Sequence, residues 1–286
     1  MKQSLNQKFP LYGWLGIVLI IIFWFLNWLL SGLRTAWGFF PLWLGFCLTL
    51  DAFVFFRKGT SLLKRSFKKY ILLFVISIPV WWIFELFNSI TQNWFYDGRE
   101  YFTDTEFFLI ASINFSTVIP AVFEAAELAG TFKWIRRIKN GPKIEQSQKV
   151  IILFIFSGLL TLILEILFPN IFYPFIWITI YLLIEPLNIK MHNRNLLMYA
   201  KEKNWRPVIS LWIGCLICAF FWEMWNYYSY PKWYYYLPGL NFLHVFEMPL
   251  PGYLGYLSFS LELFVVYHFI TGLFGDKENY VKLVQE

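Results

Sequence analysis

Nine carboxylates lie within or at the edge of long apolar segments: Asp51, Glu85, Glu124, Glu127, Glu165, Glu185, Glu223, Glu247 and Glu262. No lysine or arginine stands well inside any of these segments. An ionised carboxylate at bilayer depth costs about 2.5–3.5 kcal/mol even on insertion scales. Such acids must be protonated, line a wet cavity or bind a cation, and each solution places a functional site in the membrane. Asp51 and Glu185 have a plainer reading. They sit at segment ends, where they could cap the following loops or pair with adjacent Lys and Arg. Glu165 lies at the outer edge of its segment and is open to the same structural reading.

Spacing sharpens the choice. Glu85/Asn88 and Glu223/Asn226 are three residues apart, so each pair shares one helical face, as do Glu124 and Glu127. Two carboxyls that close tend to share a proton. Aromatic residues crowd the same places. The stretch from Trp222 to Tyr236 holds Trp222, Trp225, Trp233, Tyr234 and five further Trp or Tyr residues, and Trp94 and Tyr96 echo it earlier. A neutral acid beside an aromatic wall can protonate an alkene, and the ring faces can stabilise the resulting carbocation. The candidate acids are therefore Glu85, Glu124, Glu127, Glu223 and Glu247. Asn88, Asn226, Trp94, Trp222, Trp225, Trp233 and Tyr234 are the candidate ligand contacts. Interhelical hydrogen bonding and interfacial aromatic belts are the structural alternatives.

Other chemistry is thinly represented. Cys47, Cys215 and Cys218 lie in apolar runs, and Cys215-Leu-Ile-Cys218 has no second pair and no nearby histidine. His192, His244 and His268 are far apart. There is no P-loop, nucleophile elbow, HExxH or aspartate-rich diphosphate motif. No metal or cofactor is expected.

The elements that must position these residues follow from composition. The 286 residues are 58% hydrophobic, 23% aromatic and 15% charged, with a mean hydropathy of +0.53. A soluble domain carries about 25% charged residues. The chain therefore reads as an all-α integral membrane protein. Eight spans are expected, near 11–31, 38–56, 70–90, 107–130, 150–168, 171–189, 207–228 and 249–273. The first reads as a retained span rather than a cleaved signal peptide. Gly252-Tyr-Leu-Gly255, after Pro249 and Pro251, predicts a broken start to the last span. Of the 24 Lys and Arg, 21 fall in the termini and in alternate loops, leaving Arg34, Arg99 and Lys232 for the others. This asymmetry predicts an inner-membrane protein with both termini cytoplasmic. It also accounts for the net charge of +6 through anionic headgroups, without nucleic acid.

The halves also resemble each other. Asp51 precedes Leu62-Leu63 as Glu185 precedes Leu196-Leu197. Phe84-Glu85-Leu86-Phe87-Asn88 with Trp94-Phe95-Tyr96 matches Trp222-Glu223-Met224-Trp225-Asn226 with Trp233-Tyr234-Tyr235. Residues 1–132 and 150–286 are read as two four-span repeats joined by a basic linker, 133–149. Four spans per repeat give parallel repeats, related by a pseudo-two-fold axis along the membrane normal.

These motifs resemble the small-membrane-domain type of lycopene cyclase. In that family a helix ending in Trp-Asp is followed by a loop with Trp-x-Tyr/Phe and a helix opening with Pro-x-Glu-Glu. Trp222-Glu223, Trp233-Tyr234 and Phe246-Glu247-Met-Pro249 are similar, as are Phe84-Glu85, Trp94-Phe-Tyr96 and Pro120-Ala-Val-Phe-Glu124. The resemblance implies acid catalysis on an isoprenoid or carotenoid-like lipid, with membrane lipids and a hydrophobic small molecule as partners. A proton-coupled carrier and a non-catalytic scaffold, with its basic loops on a partner or lipid, fit the same pattern.

Overall fold

A computed structural model describes residues 8–138 and 140–284. Lys2 and Lys139 of the basic segments lie outside the described residues.

Among the described residues, eight helical segments are long and apolar enough to cross a membrane, as in a multi-pass membrane protein. They are α1 (Leu11–Leu29), α2 (Thr35–Lys58) and α4 (Phe67–Thr91), then α5 (Asp104–Phe115) continued by α6 (Val118–Gly130). In the second half come α8 (Gln148–Leu167), α9 (Pro169–Phe172) leading into α10 (Ile176–Lys190), α12 (Arg206–Tyr227) and α13 (Gly255–Leu273). Short helices α3 (Leu62–Arg65), α7 (Lys133–Arg137) and α11 (Leu196–Lys201) lie at the end that carries the basic loops. A 3-10 turn, Leu250–Leu254, opens the last span, as the two prolines and two glycines there predict.

Burial sorts these helices into layers. Only 17% of α1 and of α8 is buried, and Ile21, Phe25, Phe156 and Ile163 point outward, as a lipid-facing surface requires. More than half of α2, α12 and α13 is buried. α6 packs against α2, α4 and α12, while α13 packs against α10, α12 and α4. Apolar burial gives no preference for helix over lipid inside a bilayer, so close backbone approach must hold the seams. At the α6–α12 seam, Gly214 lies so near Ala126 that an added Cβ would stand 2.3 Å from its backbone nitrogen. Gly16 and Gly45 allow the same approach between α1 and α2.

The break in the fourth span is repaired from outside. Pro120 provides no N–H to the ladder, and α5 ends at Phe115. The buried Ser77 hydroxyl of α4 donates to the Phe115 carbonyl at 2.6 Å and accepts from Ile119 N–H at 3.1 Å. A neighbouring helix thus supplies what the broken ladder lacks.

The helical expectation needs one amendment. Trp94–Asp97 (β1) and Lys232–Tyr235 (β2) pair antiparallel, with Phe95 opposite Tyr234 at the centre. His244–Val245 (β3) and Met248–Pro249 (β4) form a second, minimal pair. The C-terminal segment is also built in: Tyr280, Val281 and Leu283 are buried, and Tyr280 donates to the Leu62 carbonyl at 2.8 Å.

Candidate functional site

The β1–β2 pair closes one end of the helix bundle, opposite the basic loops, and beneath it lies a cavity of about 170 Å³. About half of its lining residues are aromatic: Phe39, Trp81, Trp94, Tyr96, Phe102, Phe107, Phe115, Trp177, Trp222, Trp233, Tyr235, Tyr256 and Phe259. Phe259 of α13 is the hub, with its ring 5.8 Å from Trp81, 5.5 Å from Trp177 and 6.5 Å from Trp222. Trp222 stacks on Tyr256 at 6.0 Å.

Strand geometry decides which aromatic residues reach the cavity. Side chains alternate faces along a strand. Trp94 and Tyr96, with Trp233 and Tyr235, take the inner face and line the cavity. Phe95 and Tyr234 take the other face, where they stack on each other at 5.5 Å. Tyr234 is thus not a cavity residue, contrary to expectation.

Directly behind the wall sit two carboxyls. Glu85 Oε1 accepts from the indole N–H groups of Trp81 and Trp94, each at 3.0 Å, and from the Tyr96 hydroxyl at 2.5 Å. Glu223 Oε1 accepts from the Tyr235 hydroxyl at 2.8 Å and the Tyr256 hydroxyl at 2.7 Å. Glu223 Oε2 and the neighbouring Trp233 indole nitrogen are buried without completing a hydrogen bond. The donors, rather than the acids, line the cavity. Burial, and then the adjoining carboxylates, push the Tyr96 and Tyr235 hydroxyls well above their ordinary range, so both remain protonated donors.

Asn88 and Asn226 act on the backbone. Asn88 Oδ1 accepts from the N–H of Asn93 and Trp94, and its Nδ2 donates to the Trp94 carbonyl at 2.8 Å. Asn226 Oδ1 accepts from Trp233 N–H at 3.0 Å, and its Nδ2 donates to the Trp233 carbonyl at 2.6 Å. Each side chain therefore turns the chain from a helix end into a strand, and its amide is occupied by backbone rather than by a ligand. Their spacing from the acids now has a cause. One helical turn places the carboxyl against the aromatic side chains and the amide against the strand that carries them.

The remaining candidates lie elsewhere. Trp225 is buried against Trp43, with rings 5.1 Å apart, and Trp24, at 6.0 Å, in the packing of α12 on α1 and α2. Glu247 pairs with Lys232 beside the second strand pair. Glu124 and Glu127 sit toward the basic end of α6, below the cavity. Glu127 is bound by Lys58 at 2.5 Å and by Arg65, and accepts from the Lys282 backbone N–H at 2.7 Å. The absence of cations from the span interiors thus did not mean absence of partners. Lys58 and Arg65 come from the end of α2 and from α3 and reach inward, with side chains 4% and 11% exposed. Both oxygens of Glu124 are buried without a hydrogen-bond partner, beside Asp51.

Three acids keep their structural reading. Asp51 accepts from Leu63 N–H, the Ser61 hydroxyl and the Tyr12 hydroxyl, at 2.7–2.8 Å. Glu185 accepts from Leu197 N–H at 2.5 Å, so both acids hold the start of the following short helix. Glu165 accepts from the Thr179 hydroxyl at 2.6 Å.

Sequence reasoning missed Trp81, Trp177, Tyr256 and Phe259 as cavity residues. Trp81 stands four residues before Glu85, so helical spacing alone could have found it. Trp177 and Phe259 carry no local signal. Two buried acceptors in the wall, Asn93 Oδ1 and Asn114 Oδ1, make no hydrogen bond within the protein. Among the described residues no group of three or more His, Cys, Asp or Glu could hold a metal ion. No protein-family model, curated protein or solved structure matches the chain.

Proposed function

We propose that this chain binds an isoprenoid or carotenoid-like lipid in the aromatic cavity and acts on it by acid catalysis. The observation that carries the reading is the arrangement of two carboxyls, Glu85 and Glu223, directly behind hydroxyls that line an aromatic-rich wall. The step requires Glu223 in its protonated form. With that hydrogen bond turned round, the Oε1 proton passes to the oxygen of Tyr235 or Tyr256 as the hydroxyl, its own proton now facing the cavity, gives that proton to an alkene carbon of the ligand. A C–H bond forms, and the neighbouring carbon becomes a cation facing Trp222 and Trp233. Loss of a proton from an adjacent carbon back to the tyrosine–carboxylate pair completes an isomerisation or cyclisation. In this reading Glu85, with Tyr96, does the same from the other side.

The resemblance to the small-membrane-domain lycopene cyclases supports the same chemistry. Of the acids that it implies, the proposal keeps Glu85 and Glu223 and assigns Glu124, Glu127 and Glu247 no part in the reaction. We also read the chain as a duplication of two parallel four-span repeats about a pseudo-two-fold axis. The matching roles of Asn88 and Asn226, of Tyr96 and Tyr235, and of Asp51 and Glu185 support this. So does the pairing of Phe95 with Tyr234 at the centre of the strand pair. With the basic loops facing the cytoplasm of an inner membrane, the cavity opens toward the outer side.

The test is mass spectrometry of small molecules extracted from the purified protein, against a mock purification from the same membranes. Enrichment of a prenyl lipid, quinone or polyene is expected, and Glu223→Gln should then abolish its turnover while leaving it bound. Recovery of bulk phospholipid alone, or full turnover by a normally expressed Glu223→Gln protein, overturns the proposal.

A further inference from the structure

We propose that the hairpin 239–249 is a gate in the cavity wall, through which the lipid enters sideways from the bilayer. The inference rests on the reading that the cavity binds an apolar-chained lipid, and it assigns that lipid a membrane rather than an aqueous source.

The stretch that carries β3 and β4 is apolar on both sides. Leu237, Met248, Gly252 and Gly255 line the cavity. Phe242, Leu243, Val245, Leu250 and Leu254 face away from the protein, each 40–69% exposed. Between Trp233 and Leu261 the one charged residue is Glu247, which Lys232 neutralises. Asn241 and His244, the other polar side chains of the hairpin, bond each other at 3.3 Å. Such an outer surface suits hydrocarbon rather than water.

The wall here is thin and packed separately. Tyr173, Leu237 and Met248 form a hydrophobic cluster of their own, apart from the main core that holds Trp94, Trp222 and Phe259. An opening on any other side would break into that core. Gly252 presents no side chain, and a Cβ added there would meet Met248 Sδ at 2.4 Å. Met248 therefore lies against bare backbone and closes the wall with its own flexible side chain. β3 and β4 have two residues each, and a 3-10 turn follows them, so few ladder bonds resist movement. Leu243 and Phe246 hold left-handed φ of 53° and 59°, backbone strain of the kind stored in switch segments.

The closed position is latched at the tip. Glu247 pairs with Lys232 of β2, whose ammonium lies 5.8 Å from the centre of the Tyr227 ring. Phe246 packs on Phe220 and Tyr227 of α12, with ring centres 5.9 and 5.7 Å apart. Swinging Met248 outward exposes apolar atoms, which water penalises and acyl chains do not. Opening is therefore easy only toward lipid.

The experiment uses the full chain in an uncharged detergent and follows uptake and release of radiolabelled farnesol by the captured protein. Met248→Cys with Gly252→Cys puts two thiols in bridging range, since a Cβ on residue 252 stands 3.3 Å from Met248 Cγ, the place the new sulfur takes. The native Cys47, Cys215 and Cys218 are buried. Oxidised, this variant should exchange farnesol about tenfold more slowly than the same protein reduced, a barrier change of about 1.4 kcal/mol, and reach the same final occupancy. Glu247→Gln, which frees the tip, should exchange several-fold faster than the parent, and Lys232→Glu with Glu247→Lys should bring the rate back toward it. In phosphatidylcholine vesicles, Leu243→Cys should react several-fold faster with a lipid-soluble maleimide than with a charged, impermeant one.

Equal rates in the oxidised and reduced forms, with the bridge confirmed by mass, would overturn the gate and leave the lipid cavity standing. A lower final occupancy at an unchanged rate would do the same, by making Met248 a binding contact alone. An unchanged rate in Glu247→Gln would overturn the latch. Faster reaction of Leu243→Cys with the charged maleimide would put the hairpin in water and overturn the membrane source. Failure of the parent to retain farnesol would overturn both readings.

Discussion

The Tyr235 hydroxyl donates at 2.8 Å to Glu223, twelve residues earlier in the chain, from a strand that follows the helix carrying the acid. Tyr256 reaches the same oxygen from α13. Glu223 is therefore fixed by two elements that meet only in the folded bundle. Removing either hydroxyl as Tyr235→Phe or Tyr256→Phe should cost about 1–3 kcal/mol. The double variant should lose more than the sum, because the buried Oε1 then has no donor at all. Thermal unfolding in detergent reads this directly. A double variant as stable as the parent would show that these hydroxyls do not hold the acid.

Asn88 and Asn226 should behave as turn-makers. Asn88→Ala leaves the buried Trp94, and Asn226→Ala the half-buried Trp233, without carbonyl and N–H partners, at a cost of up to about 1–3 kcal/mol per unsatisfied group. Loss of stability should appear without any ligand present. A variant that weakens ligand binding at unchanged melting temperature would instead place the amide in the cavity.

Glu124 and Glu127, three residues apart, should respond oppositely to neutralisation. Glu127→Gln leaves Lys58 and Arg65 without their shared carboxylate, and breaking a buried ion pair costs about 3–5 kcal/mol. It should also loosen the C-terminal segment, since the single amide oxygen must then serve Lys282 N–H and both cations in place of two carboxylate oxygens. Glu124→Gln keeps a donor and an acceptor beside Asp51 and breaks no ion pair, so it should be nearly neutral. Comparing melting temperatures, together with proteolysis of the last ten or so residues, checks both. A tolerated Glu127→Gln beside a crippling Glu124→Gln would reverse the assignment.

Ser77→Ala should destabilise out of proportion to the one oxygen it removes. Both the Phe115 carbonyl and the Ile119 N–H lose their partner at the break between α5 and α6. The expected loss is about 2–5 kcal/mol, from two buried backbone groups at about 1–3 kcal/mol each. Ser77→Thr, which keeps the hydroxyl, should recover part of it. A melting temperature for Ser77→Ala within a degree of the parent would refute the bridging role.

The sequence by itself determined the spans, the loop in which each cation lies and the shared face of Glu85 and Asn88. All three are local properties. A run of about 20 apolar residues is read within one segment, and a spacing of three within one helical turn. Leu63 and Leu197 likewise lie just downstream of Asp51 and Glu185, so capping was legible. What only the tertiary structure decided were the partners. Glu127 meets Lys58 from 69 residues away and Lys282 from 155, so its neutralisation could not be read from an apolar stretch empty of cations. Tyr256 meets Glu223 because α13 packs on α12. Tyr234 faces away from the cavity because β1 and β2 pair in a register centred on it, and strand alternation then sends its neighbours inward. Hydropathy specifies which residues enter the membrane, but inside an apolar solvent it does not choose which helices touch. That choice falls to small-residue seams such as Gly214 on Ala126 and to polar contacts across the chain.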